Sequence, residues 1–216
     1  MGAFSGSISY KQFYVEGELP SNWKEKYLER ISHFAFEPLS PDDERDEAYG
    51  WVPVERPLER EFPLARVMFN EYITLGLRRD AFSISPDRLK AEIAAETREF
   101  LASHKSEKLN KTQKEEIARN TKLGLRQQAL PTMKVIDMSW NIDEKHIRFW
   151  NQSPKMCELF QGLFEETFQL KLKPANPYIN ALKAELNAEE VEALSEVETS
   201  HFVNGTVGDF SYLGGQ

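Results

Sequence analysis

The chain has 216 residues, 40% of them hydrophobic, which is enough for one large domain or two small ones with a packed core. Its formal net charge is −8 at pH 7, and its one cysteine, Cys157, excludes an intrachain disulfide and a cysteine-based metal site. No apolar run reaches the roughly 20 residues that a membrane-spanning helix needs. We therefore expect a cytoplasmic protein with no membrane partner and with Cys157 buried as a small apolar residue.

The N-terminal part of the chain predicts strands and one helix. Residues 7–15 are rich in aromatic and β-branched types, which favours a strand. A helix follows, and its core-facing residues recur at helical spacing: Trp23, Tyr27, Ile31 and Phe34. Residues 49–54 predict a short strand whose prolines exclude a central position in a sheet. Residues 69–77 predict a further strand that ends at Arg78 and Arg79.

An acidic, proline-flanked loop occupies residues 41–47. Grouped carboxylates suit Mg²⁺, so Asp42, Asp43 and Glu44 leave open a Mg²⁺-dependent nuclease. The alternative is that these acids only promote solubility.

Two helices are predicted in the middle of the chain. Ser85 is a candidate N-cap before Pro86, and apolar residues then recur at helical spacing over residues 86–103. Residues 112–115 fit a capping box of Thr and Glu, which predicts a second helix over residues 113–129.

The C-terminal half predicts a hairpin, a helix and less regular segments. Residues 135–140 and 146–150 form the two strands of the hairpin. Residues 153–168 predict the clearest amphipathic helix of the chain, followed by a strand over residues 170–173. Two short helices are predicted within residues 181–197, before a turn-rich tail. Because strands and helices alternate irregularly, the predicted class is α+β: a mixed or antiparallel sheet with the helices at 86–103, 113–129 and 153–168 packed on one side.

The positive charge of this acidic chain is concentrated in one region. Residues 100–140 carry eight Lys or Arg against four acids, whereas the segments on either side are net negative. A localised basic element suggests a surface for a polyanion, with a merely solvated helix face as the alternative. Arg119, Lys122 and Arg126 lie on one helix face, where they can follow a phosphate strand. The predicted DNA-binding residues are Arg78, Arg79, Lys105, Lys108, Lys111, Lys114, Arg119, Lys122, Arg126 and Lys134.

No motif for catalysis is present. The sequence has no phosphate-binding glycine loop, nucleophile elbow or pair of metal ligands on one helix face, and its four histidines are scattered. We therefore expect neither an enzyme nor a bound cofactor or metal.

Seven short motifs, in order along the chain, resemble the recombination-associated protein RdgC family. They are residues 2–7 (GAFSGS), 50–53 (GWVP), 77–80 (LRRD), Pro86 at a helix start, 108–112 (KLNKT), 129–131 (ALP) and 163–168 (LFEETF). The similarity runs to about Pro174. It implies a bacterial α+β protein that forms a ring-shaped homodimer around double-stranded DNA, without sequence specificity, and restrains the recombinase RecA in the nucleoid.

The resemblance also implies an organisation of the chain. Residues 1–175 would form the DNA-binding region, with Leu130 and Pro131 at a dimer contact, and residues 176–216 an acidic helical segment that is shortened relative to the family. At the position of Leu130 a member of this family has a larger, aromatic residue, and at the position of Glu107 it has a basic residue. A protein-interaction module that has lost DNA binding is therefore the alternative function, and burial in the chain's own core is the alternative role of Leu130.

Overall fold

Seven strands form one antiparallel sheet in the computed structural model, which describes residues 9–40, 43, 45–184 and 186–196. The strands are β1 (Lys11–Glu16), β2 (Glu47–Val52), β3 (Met68–Phe69), β4 (Tyr72–Ala81), β5 (Thr132–Asn141), β6 (His146–Phe149) and β7 (Lys171–Pro174). Their order in the sheet is β2-β4-β5-β6-β1-β7, and β3 pairs with β4. The predicted α+β class is thus confirmed, and of the two predicted kinds of sheet, mixed or antiparallel, the antiparallel one is present.

The helices of the described residues belong to two compact units. Five belong to the unit Met1–Pro174: α1 (Trp23–His33), α2 (Leu64–Val67), α3 (Pro86–Ser103), α4 (Lys111–Gln128) and α5 (Pro154–Phe168). The unit Ala175–Gln216 contains α6 (Pro177–Leu182) and α7 (Ala188–Ser195). Both are capped by asparagines, Asn176 and Asn187, whose side chains accept a backbone N–H of the first helical turn.

The main core lies between one face of the sheet and the helices α1 and α5. Phe160, Phe164 and Phe168 recur at four-residue intervals along α5, which places them on one face, and all three are buried. They pack with aromatic residues of the strands such as Trp140, whose ring centroid lies 5.2 Å from that of Phe164. The predicted α1 stripe contributes through Tyr27, which is fully buried. The expected burial of Cys157 is also confirmed.

A smaller core cluster consists of Phe36, Leu39, Ala48 and Val52. It depends on a close approach between β2 and the segment before it. A Cβ added to Gly50 would lie 2.5 Å from the Cα of Phe36, so only glycine fits at this position. On the side of β2 away from β4, Ala35 makes an isolated parallel bridge to Trp51. The predicted edge position of β2 agrees with its place at the end of the strand order.

The prediction that the two central helices cover the sheet is wrong. α3 has no buried residue, and α4 has two, Leu125 and Arg126, both in its last turn. The two helices pack against each other and form an arm, which we define as residues 86–128. A periodic pattern identifies the apolar face of a helix but not what covers it, so the pattern of α3 alone does not show that this helix packs against α4.

The start of α4 also differs from the prediction. The helix begins at Lys111, and its capping box is formed by Asn110 and Gln113. The Asn110 side chain accepts the backbone N–H of Gln113 at 2.8 Å, and the Gln113 side chain accepts that of Asn110 at 3.0 Å. Thr112 therefore lies inside the helix, since asparagine is at least as good an N-cap as threonine.

The remaining boundaries lie close to those expected. α3 spans the predicted residues, and the hairpin of β5 and β6, helix α5 and strand β7 are all present. β4 runs to Ala81, beyond the predicted end of its strand. The two short helices near the C-terminus occur, although α6 begins before residue 181. Residues 7–8 of the first predicted strand, residues 41, 42 and 44 of the acidic loop, and the turn-rich tail lie outside the described residues.

Candidate nucleic-acid interface

Most exposed cations of the arm lie in its connecting loop and on α4. Lys105 and Lys108 belong to the loop, and Lys111, Lys114 and Arg119 follow along the helix. Lys111 lies 3.9 Å from Glu115 and is 91% exposed, so this pair is nearly fully solvated. The other four cations are exposed, and none forms an ion pair within the described part of the chain. These side chains are accessible to a polyanion.

Two further cations of the predicted set connect the arm to the body. Lys122 Nζ lies 2.8 Å from an oxygen of Asp46, and Arg126 contacts the other oxygen of the same carboxylate at 3.4 Å. Asp46 directly precedes β2, whereas the two cations are one helical turn apart on α4. One carboxylate thus neutralises two of the three residues predicted to follow a phosphate strand.

Arg126 is moreover a buried residue. Its side chain is only 5% exposed, and its Nη2 donates to the carbonyl oxygen of Arg45 at 2.7 Å. Its guanidinium lies over the ring of Phe82, 4.7 Å from the centroid. A guanidinium with these contacts stabilises the base of the arm. In this conformation it does not face solvent, where a phosphate would be.

Arg78 is also held inside the chain. It makes a bidentate pair with Asp80, donates to the carbonyl oxygen of Pro57 at 3.0 Å and lies over the ring of Phe36 at 4.1 Å. Its side chain is 12% exposed. These contacts make Arg78 part of the packing around Phe36, a member of the smaller core cluster.

Arg79 lies on the opposite face of the same strand and next to Lys134. The two are directly opposite each other across β4 and β5, so their side chains share a face. Arg79 pairs with Glu47, and the hydrogen bond from Arg79 is the main cause that lowers the pKa of that carboxyl. Lys155 also reaches Glu47, at 3.5 Å. Lys134 is exposed.

The predicted dimer-contact residues follow the end of α4. Leu130 is 92% exposed, which contradicts the alternative that it is buried in the chain's own core. Pro131 is partly buried, and Met133, at the start of β5, is 45% exposed. An extended segment thus presents two large apolar side chains to solvent. Such exposure is a common property of interaction surfaces, though single exposed apolar residues also occur at random.

The acidic loop does not form a metal site where the structure describes it. Of the three candidate ligands, Asp42 and Glu44 lie outside the described residues. Asp43 pairs with Arg45, and the hydrogen bond from this guanidinium lowers the pKa of Asp43 to about 2. Within the described ranges there is no group of three or more His, Cys, Asp or Glu side chains that could hold a metal ion.

Sequence reasoning missed several charged residues in the arm and at its contact with the body. Lys90 and Arg98 are exposed on α3, although acids outnumber bases on that helix. Asp46 was missed as the acid that binds Lys122 and Arg126, since it lies 76 and 80 residues away from them. A net-charge count does not reveal Lys90 and Arg98, because the acids of α3 outnumber its bases. The pairing of Asp46 with Lys122 and Arg126 has no signal in a single sequence.

Comparison with known proteins does not assign the chain to a family. No protein-family model matches it, and no curated protein matches it. Among the described residues, no helix is both long and apolar enough to cross a membrane.

Proposed function

We propose that this protein binds double-stranded DNA without sequence specificity, through the cations of its arm. The observation that supports this proposal is the arm itself, which projects basic side chains into solvent from an otherwise acidic protein. Residues 104–128 carry seven Lys or Arg and three acids. Five of the seven are exposed, and the negative charge of the other segments limits adhesion by the rest of the surface.

The chemistry of these residues matches phosphate and not base recognition. Lysine dominates the set, and a lysine ammonium acts as a compact point charge without a fixed geometry. Contacts of this kind position a protein on the duplex but carry no sequence information. Three to six such contacts per chain predict a slope of log K against log[salt] of about −3 to −5.

Salt-dependent fluorescence anisotropy tests this proposal with short duplexes of two unrelated sequences. The variant Lys114→Glu with Arg119→Glu removes two exposed cations of the arm. The control, Lys24→Glu with Lys26→Glu, makes the same change in net charge on α1, where both lysines are exposed. Between roughly 50 and 200 mM salt, the arm variant should weaken binding to both sequences equally and make the slope shallower by about 1.8.

The control separates local contacts from overall charge. Lys24 and Lys26 contact no phosphate in the proposed complex, so their reversal should leave the slope unchanged. Equal effects of the two variants would mean that only the net charge matters, and the proposed interface would be wrong. A sequence preference that survives the arm variant would also contradict it.

The resemblance to the RdgC family motivates two extensions of this proposal. The first is that the protein acts as a homodimer through Leu130, which is exposed and apolar. Sedimentation velocity should show a dimer that Leu130→Asp dissociates without loss of folded structure. Leu58→Asp, at another leucine that is 74% exposed, should leave the dimer intact. A monomeric parent protein, or dissociation by both variants, would rule out this contact.

The second extension is that the bound protein restrains a RecA-type recombinase in the nucleoid by occupying duplex DNA. Strand exchange should slow as the protein is added, and the arm variant should lose this effect together with its affinity. The proposal includes no catalytic step, so the duplex should stay intact when Mg²⁺ is present. Degradation that depends on Mg²⁺ would instead favour the nuclease alternative.

A further inference from the structure

The arm has a second surface, a groove of about 430 Å³ between α3 and α4. On α4 it is lined by residues on one helix face, including Gln113, Ile117, Thr121 and Gly124. At about 100° per residue, this face lies opposite the one that carries Lys111, Arg119 and Lys122. The groove and these three cations therefore occupy different sides of the same helix, whereas Lys114, seven residues before Thr121, lies beside the groove.

The chemistry of the groove is the reverse of that on the cationic side. Its apolar part is formed by Phe100, Ile117 and Leu125, and no lysine or arginine lines it. Glu92, Glu96 and Glu116 are its only charged lining residues. Glu92 lies 3.8 Å from Arg88, whereas Glu96 and Glu116 have no ion pair in the part of the chain that the structure describes. An apolar groove with an anionic rim complements a cationic, partly apolar ligand.

The packing of the arm is incomplete on this side. Phe100, the apolar residue that α3 contributes to the groove, and Ile117 of α4 are both only partly buried. A Cβ added to Gly124 would meet nothing within 4 Å, so there is open space above the middle of the groove. Two helices alone leave these side chains partly exposed, but a third helix packed against both would cover them.

We propose that this groove binds a basic amphipathic helix of a partner protein. From Gln113 to Gln128 the groove extends about 22 Å along α4, which matches a helix of about 15 residues. Apolar residues of that helix at positions i, i+3, i+4 and i+7 would contact Phe100, Ile117 and Leu125, as in other helix-in-groove complexes. Its Lys or Arg residues would pair with Glu96 and Glu116. This function does not depend on DNA binding, because the anionic groove repels phosphate.

A designed peptide tests the proposal without knowledge of the natural partner. The probe is a fluorescein-labelled helix of about 15 residues composed of Lys and Leu, with leucine on one face. Two control peptides have the same length: one replaces every Lys by Glu, and the other has the same composition in an order without a single apolar face. Titration with the full-length protein should show binding of the probe and much weaker binding of both controls.

Two glycine substitutions show whether the peptide occupies the groove. Gly124→Leu fills the open space in the groove and should weaken probe binding by about tenfold or more, since one blocked anchor site costs this much. Gly162→Leu is the matched control, because Gly162 lies in α5 and a Cβ there also meets nothing within 4 Å. The control should bind the probe like the parent protein. Glu96→Gln with Glu116→Gln should weaken binding and reduce its salt dependence.

Several results would overturn the proposal. If the reordered peptide bound as tightly as the probe, the interaction would depend only on the net charge of the peptide. Unchanged affinity of Gly124→Leu would place the peptide elsewhere on the protein. A change in the sedimentation coefficient caused by Gly124→Leu alone would make a second copy of this chain the occupant. Gly124→Leu should leave duplex affinity unchanged, so failure of this proposal and failure of the DNA-binding proposal are distinguishable.

Discussion

Replacement of Arg126 by alanine should destabilise the arm, and its effect can be estimated from the contacts of this side chain. The hydrogen bond from its guanidinium to the carbonyl oxygen of Arg45 involves a charged donor, a type of bond that contributes about 1.5–3 kcal/mol. The contact with the Phe82 ring adds about 0.5–2 kcal/mol. The Asp46 side chain is 59% exposed, so that ion pair adds little. Since these contributions are not additive, we expect a loss of about 2–3 kcal/mol.

Hydrogen exchange of the α4 amides measures this loss where it should occur. Lys122 and Arg126 connect the arm to the body, and most other residues of the arm are exposed or only partly buried, so the arm can open locally while the sheet stays folded. A loss of about 2–3 kcal/mol corresponds to a decrease in protection of about 30- to 150-fold.

The exposed Arg119 provides the comparison for Arg126. Its replacement by alanine should change stability by less than about 0.5 kcal/mol, because surface substitutions rarely cost more. Arg119→Ala should instead make the salt slope of DNA binding shallower by about 0.9, and Arg126→Ala should leave that slope unchanged. Similar protection in both variants, or a shallower slope in Arg126→Ala, would refute the assignment of Arg126 to the base of the arm.

Two further predictions concern the body of the protein. Gly50→Ala should lower the free energy of unfolding by about 1–3 kcal/mol, because the added Cβ would meet the Phe36 backbone. Gly162→Ala, in open space on a helix, should raise the free energy of unfolding by about 0.5–1 kcal/mol. Urea unfolding measures both values, and a Gly50→Ala protein more stable than Gly162→Ala would contradict the structure. Burial raises the pKa of Tyr27 to about 12, so the neutral phenol stabilises the fold fully below pH 10, and this contribution is lost as the pH rises from 10 towards 12. Tyr27→Phe should be less sensitive to pH in this window than the parent protein, whereas Tyr49→Phe, at an exposed tyrosine, should behave like the parent.

The sequence predicts the helices well where local signals and burial agree. Pro86 fixes the start of α3, and the phenylalanines of α5 define a face that the sheet covers. The cap of α4 is ambiguous because both Asn110 and Thr112 are good N-cap residues. Only the backbone conformation decides between them.

The candidate site is less predictable, because it depends on contacts between distant parts of the chain. Arg78 ends an apolar run and therefore resembles a residue that projects into solvent. In the folded protein Asp80 and the carbonyl oxygen of Pro57 hold it in place. Arg126 has the same spacing on α4 as an exposed cation, yet it is buried by residues about 80 positions earlier. Charge counting finds basic residues but does not distinguish those that the fold already neutralises.

The two faces of α4 can serve ligands of opposite charge because ionic screening separates them. A helix with its side chains is about 10–12 Å across, and the Debye length at physiological ionic strength is about 8 Å. A phosphate bound near Arg119 therefore lies more than one Debye length from a ligand in the groove on the opposite side. Glu116 is the exception, because it lies one helical turn from Arg119 and lines a small pocket with it, so its carboxylate opposes a nearby phosphate even at physiological salt. Glu96, on α3, is screened at physiological salt, but at about 0.01 M salt the Debye length is about 30 Å and this carboxylate also opposes DNA binding. The separation of the two binding surfaces thus depends on the thickness of one helix and on the ionic strength.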